Sequence, residues 1–105
     1  MVARLTIYEN ADLALADQAR QWLGALETDP FSELPGYRGS MTLVDRANAR
    51  MVGVGFYTGP AQALEADVLL PALLEQARGQ VPSAIAPILD IRPDSSGLYE
   101  IVHRD

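Results

Sequence analysis

The sequence has 105 residues, the size of one domain, with 49% hydrophobic and 21% charged residues, an ordinary globular balance. Eight Lys and Arg against fourteen Asp and Glu leave a net charge of −6. That argues against nucleic acid and against an anionic membrane surface as partners, because both need a basic footprint. No cysteine and a single histidine, His103, exclude disulfides, thiolate nucleophiles, iron–sulfur clusters, cysteine zinc sites and any multi-histidine metal site within one chain.

No run approaches the roughly 18 apolar residues of a membrane span. The N-terminal segment alternates instead of forming the unbroken apolar run of a secretory signal, so one cytoplasmic domain over residues 1–105 is expected. The first strand covers about Val2 to Tyr8, with Ala3, Leu5 and Ile7 on one face and Arg4, Thr6 and Tyr8 on the other. Asn10 or Asp12 caps the helix that follows, which runs to about Glu27 with Leu15, Ala19, Trp22, Leu23 and Leu26 as its buried stripe. Asp29-Pro30 stops it. Leu34-Pro35-Gly36-Tyr37 reads as a type II turn, since proline sets its first corner and glycine accepts the positive φ of its second. Strand two, about Tyr37 to Val44, and strand three, about Arg50 to Thr58, form a hairpin through Asp45–Ala49. Gly59-Pro60 opens a second apolar helix that ends at Gly79, and Pro71 predicts a kink or a division into two short helices. Two extended pieces close the chain, about Ile85 to Arg92 and Leu98 to His103, separated by Pro93–Gly97.

This order is β-α-β-β-α-β with an additional terminal strand. It predicts an α+β, ferredoxin-like fold, an antiparallel sheet with both helices on one face. In strand three, Val52, Val54 and Phe56 are assigned to the helix side, and Met51, Gly53, Gly55 and Tyr57 to the uncovered side. Strand two adds Met41 and Leu43 on one side and Ser40, Thr42 and Val44 on the other. An apolar open face of this kind reaches several hundred Å2, a size that marks an interaction surface. The economical cover is a second copy of the chain, packed sheet to sheet about a twofold axis. Gly53 and Gly55 remove side-chain volume from one face of strand three. They form a cavity floor, or lie beneath a large side chain such as Tyr57 or a partner aromatic, or mark a bulge.

Leu34-Pro35-Gly36-Tyr37-Arg38-Gly39, then a strand, Asp45-Arg46, and a strand ending in Phe56-Tyr57 before the helix resemble the Pro-Gly-aromatic turn and central hairpin of the antibiotic-biosynthesis-monooxygenase-like (ABM) group of dimeric α/β barrels. The element order extends the resemblance over nearly the whole chain. It implies pairing of two chains into a dimeric α/β barrel and a hydrophobic pocket in each subunit. It further implies cofactor-independent, monooxygenase-like chemistry on a small aromatic or enolisable compound, with no metal or flavin. The family's tryptophan before helix two is here replaced by Phe56-Tyr57. Helix two holds no histidine, so the haem-degrading branch of the group is not expected.

Under that resemblance Asn10 and Tyr57 are the catalytic candidates, positioning an enolate, while Tyr8, Gly53, Gly55 and Arg92 are candidates for binding the substrate. Each has a structural alternative: capping for Asn10, aromatic packing for Tyr8 and Tyr57, and solvation or a carboxylate partner for Arg92 and Arg4. Trp22 reads as core, His103 as surface, and Glu27, Asp29 and Glu33 as an acidic loop. No serine has a nucleophile elbow around it, and Gly53-Val54-Gly55 lacks the third glycine of a dinucleotide fingerprint. No residue qualifies as a general base. The alternative to an enzyme is a non-catalytic protein on the same fold that binds a small hydrophobic ligand.

Overall fold

Strand β1 (Val2–Tyr8) lies in the interior of the sheet. In the computed structural model, which describes residues 1–105, it is followed by α1 (Leu13–Gly24), β2 (Tyr37–Asp45), β3 (Arg50–Tyr57), α2 (Pro60–Arg78) and β4 (Ser95–Glu100). Short 3-10 turns lie at Pro30–Glu33 and Ala86–Asp90. The four strands pair antiparallel in the order β2-β3-β1-β4. The result is an α+β domain compatible with the ferredoxin-like fold. No helix is long and apolar enough to cross a membrane.

Local chemistry sets the joints. Asp12, not Asn10, caps α1, its carboxylate accepting the Leu15 amide at 3.1 Å. Asn10 turns the chain out of β1 at φ 49°, a left-handed conformation that Asn tolerates better than most residues. Helix α1 ends at Gly24, short of the expected Glu27. The Leu34–Tyr37 turn closes as expected, with Gly36 at φ 65° and the Tyr37 amide on the Leu34 carbonyl at 3.2 Å. Between Tyr37 and Ser40 the β2–β3 register slips, and Gly39 sits there at φ 112°.

Three expectations are corrected. Helix α2 continues through Pro71 for 19 residues, so the division into two short helices does not occur. Pro71 is exposed, while Ala63 and Ala66 before it are fully buried and Leu70 and Leu73 around it are half-buried, so tertiary packing outweighs one missing hydrogen bond. The segment from Ile85 to Arg92 is not a strand. Pro87 opens the 3-10 turn, and the Ile88 amide bonds the Ile85 carbonyl at 3.0 Å. The last strand begins at Ser95, because Ser95, Ser96 and Gly97 already pair with Ile7, Thr6 and Leu5. The sheet therefore has four strands, without the additional one.

The faces of the sheet are also the reverse of those expected. Pairing aligns Val2, Arg4, Thr6 and Tyr8 with Tyr57, Gly55, Gly53 and Met51. Tyr57 and Val2 pack with Ala63 and Ala66 of α2, and Arg4 bonds Asp67 of the same helix, so the glycine-bearing face lies beneath the helices. A Cβ on Gly55 would stand 3.3 Å from the Tyr57 ring, so the ring lies across this glycine. The open face instead carries Leu5, Ile7, Val52, Val54, Phe56, Met41, Leu43 and Tyr99. Period-two alternation tells which residues share a face; with both faces apolar, it does not tell which face the helices take.

Candidate functional site

The two helices do not close on each other. Between them lies a cavity of about 320 Å3. Helix α1 supplies Ala19, Trp22, Leu23 and Leu26, the stripe read from its sequence as buried core. Trp22 and Leu23 are half-buried on the cavity wall, and Leu26 is exposed at its rim. Helix α2 supplies Leu70, Leu73, Leu74 and Ala77 from the facing side. The 3-10 turn spans the gap with Ile88 and Leu89, flanked by Ile85 and Ile91, and Tyr8 at the end of β1 reaches the wall from the sheet. Fifteen of the 17 lining residues are hydrophobic, and none carries a carboxylate, imidazole, guanidinium or amine. Tyr8, Trp22 and Gln80 bring the polar groups that can orient a guest.

The covering turn is tied to α2 by one ion pair. Arg78, at the end of the helix, donates to both oxygens of Asp90, at 2.7 and 3.4 Å, and also reaches Glu75 at 3.4 Å. The hydrogen bonds and charge of Arg78 hold the Asp90 carboxyl below the usual carboxylate range, and Asp90 in turn raises the guanidinium. Both side chains are well exposed, so this fastening is electrostatic and open to water.

The candidate residues scatter. Tyr8 lines the cavity. Asn10 is exposed in the turn after β1, and Arg92 is exposed in the loop before β4. Tyr57 is buried in the cluster with Val2, Leu34, Ala63 and Ala66, and burial followed by the charge of Asp67 raises its phenol pKa. Gly55 lies under the Tyr57 ring, the covered arrangement weighed for it above, and Gly53 lies under the Thr6 hydroxyl. Arg4 takes the carboxylate alternative through Asp67, and its Nε is buried without a partner. Asp29 accepts from the Phe31 amide at 2.9 Å and from the Tyr37 hydroxyl at 3.0 Å, while burial raises the Tyr37 phenol. His103 is exposed beside Asp105. No three His, Cys, Asp or Glu side chains are placed to hold a metal ion.

What sequence reasoning missed is the turn that covers the cavity. Its signal was present: Ile85, Ile88 and Leu89 recur at helical spacing, and Pro87 falls among them, a residue that a paired strand would not tolerate well. Among known proteins, no family model matches the chain and no curated protein is significantly similar to it.

Proposed function

We propose that the protein is a homodimer in which each protomer holds one small, uncharged, apolar molecule in the cavity between α1, α2 and the Ala86–Asp90 turn. The observation that carries this reading is the lining, with 15 of 17 residues hydrophobic and none charged. A charged guest would be desolvated there without a compensating partner. An apolar guest gains about 25 cal/mol for each Å2 it removes from water. The volume falls within the span of small-molecule pockets.

The dimer follows from the open sheet face. Met41, Leu43 and Tyr99 are about half-exposed there, around Val54 and Ala3, which their neighbours shield. The chain exposes 6988 Å2, against about 5,800 Å2 for a folded monomer of its mass. A standard interface hides about 800 Å2 per partner. A second copy laid sheet to sheet removes surface of that order and forms the dimeric barrel of the ABM-like group.

Trp22 is the sole tryptophan and sits on the cavity wall, so its emission reports occupancy. Titration with neutral probes such as naphthalene and N-phenyl-1-naphthylamine is expected to change that emission saturably. The change is expected to be lost in Ala77→Phe, which fills the cavity. No saturable change, or equal binding by Ala77→Phe, overturns the reading.

A second reading, cofactor-free oxygenation of an enolisable aromatic, is favoured by Tyr8, which brings a phenol to an otherwise apolar chamber. Tyr8 would donate to the developing enolate oxygen while a water molecule takes the carbon-bound proton, no lining residue being a base, and molecular oxygen would then take the enolate's electrons. Oxygen consumption with anthrone- or quinol-type substrates that is lost in Tyr8→Phe selects this reading. Asn10→Ala and Tyr57→Phe test the two residues first suggested by the sequence. Saturable binding with no oxygen uptake selects the binding protein.

A further inference from the structure

The cavity between the helices is apolar, yet three of its lining side chains are polar: Tyr8, Trp22 and Gln80. Gln80 is exposed, so water serves its amide. Tyr8, at the end of β1, and Trp22, in the last turn of α1, are half-buried. Neither the Tyr8 hydroxyl nor the Trp22 indole N–H makes a hydrogen bond within the protein. Tyr37 is the contrast, its hydroxyl donating to Asp29 at 3.0 Å. Both unpartnered atoms stay within reach of another molecule, because Arg4 Nε is the sole enclosed polar side-chain atom without a partner.

An indole N–H is a donor only, and a phenol can donate as well as accept. No carboxylate lines the cavity to take either proton. A guest that displaces water from these groups leaves them unmet unless it brings an acceptor. An unmet buried donor weakens binding by about ten- to a hundredfold. A carboxylate guest would supply acceptors, but no cation lines the cavity to offset its desolvation. A carbonyl oxygen supplies two lone pairs, stays neutral, and brings no proton of its own for the apolar wall to strand.

We infer that the molecule held in this cavity is a neutral carbonyl compound, a ketone, aldehyde or ester group on an apolar frame, whose oxygen is read by the Tyr8 and Trp22 donors. The carbonyl class rests on the cavity binding a guest at all, as proposed above, and narrows that guest to one chemistry.

1-Naphthaldehyde and 1-vinylnaphthalene differ only in an oxygen for a CH2 group. The aldehyde cannot enolise, so its binding is independent of any oxygenation. Hydrophobic burial alone favours the hydrocarbon. Displacement of N-phenyl-1-naphthylamine, followed by the emission of that probe, ranks the pair. The wild type is expected to bind the aldehyde about tenfold more tightly. The infrared stretch of the bound carbonyl is expected below its frequency in hexane. The preference is expected to fall in Tyr8→Phe and in Trp22→Phe, with affinity for the hydrocarbon changing less, and to vanish in the double variant. Equal or tighter binding of the hydrocarbon by the wild type overturns the carbonyl class. A preference undiminished in the double variant overturns the role of the two donors. If N-phenyl-1-naphthylamine itself fails to bind saturably, the cavity reading falls and the carbonyl class falls with it.

Discussion

Tyr57 shows how one side chain sets both packing and pH response. Its ring fills the space that Gly55 leaves open. Gly55→Val is therefore expected to displace the ring and cost about 1–3 kcal/mol. Tyr57→Ala is expected to cost about 3 kcal/mol and Tyr57→Phe under about 0.5 kcal/mol, all three readable in urea unfolding. Burial raises the phenol pKa of Tyr57 and of Tyr37 above the ordinary 10.0. The folded state thus holds these protons more tightly than the unfolded chain, so stability is full below about pH 10 and falls as pH rises through the raised values. Tyr57→Phe is expected to flatten the fall of the thermal midpoint between pH 9 and 11. The sequence already named Tyr57 as a cover for the glycines and Gly36 as the corner of its turn, because both follow from local sterics. It could not tell that Tyr57 points under α2, since that depends on which of two apolar faces the helices cover.

At the scale of elements, the Ala86–Asp90 turn has no buried residue and is fastened to α2 by an exposed ion pair. Without the Arg78–Asp90 pair it stays joined to its neighbours only through the chain and the cavity wall. Arg78→Ala is therefore expected to speed both entry and escape of a bound probe several-fold while changing the equilibrium constant less, as read by stopped-flow emission of Trp22. Because the hydrogen bonds and charge of Arg78 hold the Asp90 carboxyl below the usual carboxylate range, the pair stays charged at neutral pH and is lost as pH falls through the lowered pKa. Exchange rates of a neutral probe are accordingly expected to be level between pH 5 and 8. This element was the least legible in the sequence. Ile85, Ile88 and Ile91 carry β propensity, yet Pro87 and the helical spacing decide against a strand. Pro71 does not divide α2 into two helices, since the packing of the helix on both sides of it was invisible to a local rule.

For the whole molecule, the order of elements from β1 to α2, the turn chemistry and the existence of an apolar sheet face without helices were legible, because alternation, turn residues and helix stripes repeat along the chain. The cavity was not, since it arises from a distance between α1 and α2 that no local pattern encodes. If the open face joins two copies through apolar contact, the dimer is expected to keep its mass from 50 mM to 1 M salt in sedimentation velocity. Growth edge to edge is restrained at the β2 border of the sheet. The register slip between Tyr37 and Ser40, with Gly39 at φ 112°, interrupts the hydrogen-bonding rhythm of β2, and β4 on the far border is only six residues long. The interrupted β2 rim is a poor template for an incoming backbone, which disfavours fibril-like stacking at that margin and leaves the greasy surfaces to a chosen companion.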